Sequence, residues 1–239
     1  MDDQPLKIGI VAALPREAQA ILPSAQRCSQ IYSLGNDAWI AIAGEGRENA
    51  ERACRRLLAT GINALLSWGV AAALEPRLQA GTLLLPQKVI DATAVPKRKP
   101  SYVIDKTWRT IFLDSLQGRF PLCVDPIVSF DQPLNLKSRQ GLFEDHKACA
   151  VDTDSAAIAC CAKEAGIAFA VIRVVAAPAN LRTITVAATS TGKPALSGLL
   201  LRPYEIPAFV KRGLYSRYAL NVLRRAVLAL NGRLVGAAT

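Results

Sequence analysis

The sequence predicts a single α/β domain spanning residues 1–239, and three observations predict it. Short apolar runs rich in β-branched residues alternate with stretches of helical periodicity, the pattern of strands and helices layered against each other. A chain of 239 residues lies within the range that one core absorbs without splitting. Apolar types make up 51% of it and charged types 20%, enough to bury a sizeable core and too apolar for disorder.

In chain order, Lys7–Leu14 (KIGIVAAL) reads as a buried strand feeding a helix through Pro15-Arg16-Glu17, with Ala18–Leu22 helical. Strand-like runs recur at Ala38–Ala43, Ala64–Val70, Thr82–Ile90, Leu122–Phe130 and Phe169–Val175. The clearest amphipathic helix is Arg47–Ala59, where Ala50, Ala53, Cys54, Leu57 and Leu58 form one stripe and Glu48, Glu51, Arg52, Arg55 and Arg56 fall outside it. A second helix runs from Ser155 through Ala165 and is ended by Gly166; its approach, Asp152-Thr153-Asp154-Ser155, is rich in capping residues. Thr93–Ser101, with Pro96, Lys97, Arg98, Lys99 and Pro100, predicts a mobile surface loop. The tail, 203–231, predicts a long amphipathic basic helix, with Phe209, Leu220, Leu223, Ala226 and Val227 on one face and Lys211, Arg217, Arg224 and Arg225 mainly opposite.

Composition excludes several classes. The longest nearly apolar stretches, Ile62–Leu74 and Gly166–Ala179, are short and interrupted by Asn63 and Ser67 or by Arg173, so no bilayer span is predicted. The start, Met-Asp-Asp-Gln-Pro, shows neither a basic leader nor a cleavage site, so a cytoplasmic protein is expected. Cys28, Cys54, Cys123, Cys149, Cys160 and Cys161 show no Cys-x-x-Cys spacing, and His146 is the single histidine. No metal site and no organic cofactor are expected. The net charge is +10, and from Leu200 to Thr239 seven basic residues face one acid. That charge fits nucleic acid, but no reading motif accompanies it, so no nucleic-acid partner is expected.

Three features are candidates for chemistry. Gly44-Glu45-Gly46 lies between a strand and a helix, where backbone amides and the helix dipole face an anion, or where small residues simply satisfy a tight turn. Ser67-Trp68-Gly69-Val70-Ala71-Ala72-Ala73-Leu74 reads as a small-residue turn after a strand, open either to a flat ligand or to close packing. Glu17, Asp152 and Asp154 sit where strands end and helices begin, the place of ligands in open α/β sheets and equally of helix caps. Arg16 and Arg47 stand near the anion-facing turns, as ligands or as solvated surface residues.

Taken in order, KIGIVAALPREAQAIL, AGEGRENAERACRRLL, LLSWGVAAALEPRLQAGTLLLPQKVID and CAVDTDSAAIACCAKEAGIAFAVIRVV resemble the nucleoside phosphorylase/nucleosidase family. Within it, the Leu-x-Arg-Glu-Ala segment, the Ser-aromatic-Gly turn and the tail SGLLLRPYEIPAFVKRGLYSRYALNVLRRA are most similar to the hopanoid-associated phosphorylases. The resemblance implies a mixed central sheet flanked by helices, a homo-oligomer, and cleavage of the N-glycosidic bond of an adenine nucleoside. It implies phosphorolysis of a lipid-linked adenosine, with phosphate as co-substrate and the inner membrane surface as a place of work. The basic tail helix, with Tyr204, Tyr215 and Tyr218, fits that membrane contact or, equally, packing against its own domain.

Site roles follow from the same resemblance. Glu17 matches the family's acid near the nucleophile, and Asp152-Thr153-Asp154 matches the ribose-binding Asp-Met-Glu pattern with a shortened last carboxylate. Gly44, Gly46, Ser67, Gly69, Val70, Ala71 and Asn180 fall at base- and phosphate-binding positions. Ala177 stands where the family carries its proton-donating Asp. Losing a positioned general acid costs on the order of 10²–10⁴ in rate. Two other readings are therefore kept open: a degenerate member that binds nucleoside or lipid, and a nucleosidase that uses water.

Overall fold

Eleven strands join into one sheet among the described residues. The computed structural model describes residues 6–35, 37–93, 99–132, 134–181 and 206–230, the side chains of 206–210 excepted. The strands are β1 (Ile8–Ala12), β2 (Ile31–Ser33), β3 (Ala38–Ile42), β4 (Ala64–Ala73), β5 (Leu83–Leu84), β6 (Lys88–Asp91), β7 (Ser101–Val103), β8 (Leu122–Cys123), β9 (Ile127–Ser129), β10 (Ala150–Asp152) and β11 (Ala168–Ala177). The helices are α1 (Pro15–Ala18), α2 (Arg47–Leu58), α3 (Lys106–Leu116), α4 (Leu136–His146), α5 (Ser155–Ala165) and α6 (Ile206–Ala229).

The main path of the sheet runs β2-β3-β1-β4-β10-β9-β6-β7, with β11 branching from β4, β5 pairing with β11 and β8 with β5. Parallel and antiparallel pairs are mixed, as the expected architecture requires. β4 is the pivot. Its first half, Ala64–Trp68, pairs in parallel with β1, its last residues, Ala72 and Ala73, pair antiparallel with β10, and its other side runs along β11. A strand buried on both faces must be apolar nearly throughout, and Ile8, Ile10, Leu65, Leu66, Val171 and Ile172 are buried accordingly. Each such side chain contributes roughly 1.5–3 kcal/mol by leaving water.

The helices cover the sheet by the stripes expected of them. α2 buries Ala50, Ala53, Cys54 and Leu57. α6 lies against β11, burying Ala219, Val222, Leu223 and Ala226 and leaving Lys211, Arg217, Arg224 and Arg225 exposed. No helix of the described residues is long and apolar enough to cross a membrane.

Several boundaries differ from expectation. Ser67–Ala73 is not a turn: these residues continue β4, because β11 pairs with them as far as Ala72 and β10 takes Ala72 and Ala73 on the other side. Thr82–Ile90 divides into β5 and β6, and Leu122–Phe130 into β8 and β9, each pair separated by a proline, Pro86 and Pro126, that cannot donate to a ladder. The helical stretch after β1 starts and ends earlier, as the single turn Pro15–Ala18. α3 and α4 were not anticipated; they start at the caps Asp105, which accepts from Trp108 N, and Asn135, which accepts from Ser138 N. Ser101 belongs to β7, and residues 94–98 of the expected loop lie outside the described residues, as do 203–205 and 231 of the tail.

Candidate active site at the fork of the sheet

β4 leaves β1 at Trp68 and meets β10 at Ala72, so among the described residues Gly69, Val70 and Ala71 have no strand neighbour on that side. Glu17 fills the gap. The chain turns out of β1 through Leu14 and Pro15, and the first turn of α1 swings the Glu17 carboxylate back, where Oε2 accepts from Leu14 N at 2.8 Å. Oε1 accepts from Val70 N at 2.8 Å, taking the hydrogen bond a strand would have supplied. Trp68 Nε1 donates to the Glu17 carbonyl at 3.0 Å and pins the turn from below. Gly69, at φ +153°, is obligatory here: a Cβ would collide with the Glu17 carboxylate and approach Arg173 Nη1 to 2.8 Å.

Arg173 enters the same space from β11, whose register sets it opposite Gly69. Its Nη2 donates to Asp154 Oδ1 at 2.9 Å, to Ser67 Oγ at 2.7 Å and to Ser155 Oγ at 3.2 Å, and its Nη1 donates to the Val70 carbonyl at 3.3 Å. Asp152 Oδ2 lies 3.3 Å from Arg173 Nε, an ion pair without hydrogen-bond alignment. Asp152 also accepts from Ser129 Oγ at 2.6 Å and from Ser155 Oγ. One guanidinium thus ties together three elements, β4, β11 and the approach to α5.

The capping alternative for Asp154 is settled by this geometry. Asp154 occupies the N-cap position of α5 but makes no side-chain capping bond; the Ala156 amide goes instead to Ser129 Oγ at 2.9 Å. Asp154 spends Oδ1 on Arg173 and leaves Oδ2 buried with no hydrogen-bond partner among the described residues. A buried acceptor left open costs about 1–3 kcal/mol, a cost that a donor arriving with a ligand removes.

Electrostatics follow from three carboxyls around one cation. Burial pushes the Glu17 carboxyl from 4.5 up to about 7, against the pull of Arg173 and with help from the Asp154 charge. Burial likewise raises Asp154, with Arg173 pulling the other way. For Arg173, burial opposes the charge, but Asp154, Asp152 and Glu17 outweigh it, and the guanidinium stays protonated. A carboxyl poised near neutrality beside a fixed cation and an open acceptor is equipped to exchange a proton with a bound nucleophile.

Of the residues expected at the site, Glu17, Ser67, Gly69, Val70, Asp152 and Asp154 come together. Ala71 is buried in β4, and Thr153 is exposed, its hydroxyl 3.5 Å from Asp154 Oδ1. Gly44 and Gly46, at φ +88° and +96°, turn the chain from β3 into α2; the Gly44 amide donates to the Ala13 carbonyl at 2.9 Å, placing this turn beside the exit of β1. Ala177 is half-buried at the end of β11 and Asn180 is exposed beyond it. Arg16 is exposed, whereas Arg47 is held by Asp91 at 2.8 Å, Thr93 at 2.9 Å and Glu51 at 3.0 Å. Burial opposes ionisation of Asp91, but the bonds from Arg47 and Thr93 prevail and hold it below the usual carboxylate range.

Arg173, Ser129 and Ser155 were not picked out as site residues, although Arg173 carried a readable signal. A charged residue inside an otherwise apolar strand must find partners within the core.

The model of the phosphorylase superfamily matches residues 7–193. The chain belongs to the phosphorylase superfamily. Solved structures with the same fold span nearly the full length of this superfamily member. The 5′-methylthioadenosine/S-adenosylhomocysteine nucleosidase of Helicobacter pylori is 16% identical, with 97% of this chain and 100% of that one covered and a TM-score of 0.74. Futalosine hydrolase of Helicobacter pylori strain 26695 is 17% identical over 96% of this chain and 98% of that one, with a TM-score of 0.73. The 5′-methylthioadenosine/S-adenosylhomocysteine nucleosidase of Neisseria meningitidis is 14% identical over 94% and 97%, with a TM-score of 0.71. No curated protein sequence matches the chain.

Proposed function

We propose that the chain cleaves the N-glycosidic bond of an adenine nucleoside. The observation that carries this reading is Glu17, a buried carboxyl raised to about 7 and aimed by two backbone amides into the fork of the sheet. In its ionised form it accepts the proton of the attacking nucleophile. The open Oδ2 of Asp154 receives a ribose hydroxyl, while Arg173 and Asp152 keep Asp154 in place. The carboxylates also oppose the positive charge that develops on the sugar as the bond breaks. Ala177 offers no proton to the departing base, so the rate falls short of that of a site with a positioned acid.

Charge favours water as the nucleophile. Arg173 is outnumbered by carboxylates and Arg47 is committed to Asp91 and Glu51, so a phosphate dianion beside Glu17 meets more repulsion than attraction. Phosphorolysis is the second reading, favoured by the N-terminus of α2, where Gly46 supplies no side-chain cap to the first amides. A lipid-linked adenosine, as in hopanoid synthesis, agrees with exposed Leu214, Tyr218 and Leu228 lying on α6 with exposed Lys211, Arg217, Arg224 and Arg225.

The test is release of adenine by the purified protein from adenosine, a thioadenosine and an alkylated adenosine, each with and without inorganic phosphate. Turnover in phosphate-free buffer that Glu17→Gln abolishes supports the reading. Turnover only with phosphate moves the acceptor to the second reading, and no adenine under any condition leaves a degenerate binding protein.

A further inference from the structure

Arg139 is a second buried guanidinium, and nothing in the glycosidic reading uses it. α4 contributes Leu142 to a small buried cluster with Leu74, Ile90, Val128 and Val151. Its first turns carry Arg139 to the segment that follows β11, where Nη1 donates to the Pro178 carbonyl at 3.2 Å. The residue is only 8% exposed, and among the described residues its Nε has no hydrogen-bond partner. Among the described residues no carboxylate forms an ion pair with it. Burial, and then the like charge of Arg212 on α6, act against its ionisation.

A buried guanidinium without a counter-charge is costly, and its planar fork of donors matches the two oxygens of a carboxylate or phosphate. The neighbouring residue, half-buried Ala177, brings no charge and little bulk to the same strand end. We infer that Arg139 forms an oxyanion-binding subsite at the C-terminal end of β11, filled by a carboxylate or phosphate group borne by the ligand. The subsite is separate in chemistry from the carboxylate-rich fork and is read by binding alone, so its failure and that of the glycosidic reading are distinguishable.

The test is thermal melting of the full chain at constant ionic strength, with inorganic phosphate or acetate replacing chloride. At least one oxyanion raises the melting temperature of the wild type in a saturable way, and the one that does identifies the group. Arg139→Met weakens that response by about tenfold or more, Arg139→Lys retains part of it, and Glu17→Gln retains all of it. In chloride, Arg139→Met melts no lower than the wild type, because an unmatched charge has been removed. No response of the wild type to either oxyanion, an unchanged response in Arg139→Met, or a marked fall of its melting temperature in chloride overturns the inference.

Discussion

Arg173 and Arg139 both serve β11, yet the first stands among Asp152, Asp154 and the nearby Glu17 charge, while the second reaches the strand's end and, among the described residues, meets a single carbonyl. Both are nearly sealed from water. The difference teaches that a buried cation has two uses in this fold. One is a tie that holds carboxylates against each other's repulsion and fixes where they point. The other is an unmet demand for negative charge. Only the first explains its own burial from the chain's described residues.

The comparison breaks most directly at Arg173. Arg173→Met removes the partner of two buried carboxylates, and breaking a buried pair of this kind costs about 3–5 kcal/mol. Urea unfolding at neutral pH should show that loss. A variant as stable as the wild type would mean that Arg173 ties nothing. Asp152→Asn together with Asp154→Asn should soften the effect, because the charges left behind are then fewer.

A slightly smaller effect lies in the pH dependence of the same cluster. Between its ordinary value of 4.5 and about 7, Glu17 keeps its proton in the folded state and has lost it in the unfolded state. The folded state therefore holds more protons in this window, and stability falls as pH rises through it, by roughly 3 kcal/mol. Stability curves of wild type and Glu17→Gln should diverge across that window, the variant lacking this slope. Adenine release should run the opposite way, rising through about pH 7 as the Glu17 base ionises.

The two arginines were not equally legible in the sequence. The strands around them were, since apolar β-branched runs state their burial directly, and Glu17, Asp152 and Asp154 stood out by position at strand ends. Arg173 interrupts such a run, which by itself demands buried partners. Arg139 has no comparable signal: α4 reads Leu136-Lys-Ser-Arg-Gln-Gly-Leu-Phe-Glu-Asp-His146, a mixed pattern broken by Gly141, and its arginine looks like any solvated one. The β4 fork was invisible for a different reason. Ser67–Ala73 is rich in small residues around Gly69, and only pairing with strands far along the chain, chiefly β11 about a hundred residues later, makes it strand. α3, by contrast, announces itself in retrospect through Asp105 and the buried series Trp108, Phe112, Leu116.

Arg47 sharpens the contrast because it lies between the two extremes. It is about one-third exposed, with a side-chain exposure of 34%, and its main partner, Asp91, is almost wholly buried at 1%. Removing the cation leaves a buried carboxylate that still accepts from Thr93 N at 3.0 Å and from Thr93 Oγ1 at 2.5 Å. Water also reaches the arginine side of the pair and screens it. Arg47→Gln should therefore cost only about 1–2 kcal/mol in urea unfolding, less than Arg173→Met. Because Arg47 is already matched to Asp91 and Glu51, the same variant should respond to phosphate and acetate as the wild type does, while Arg139→Met does not. If Arg47→Gln instead removes the phosphate response, the demand for an anion sits at the start of α2, and the phosphorolytic reading gains at the expense of the strand-end subsite.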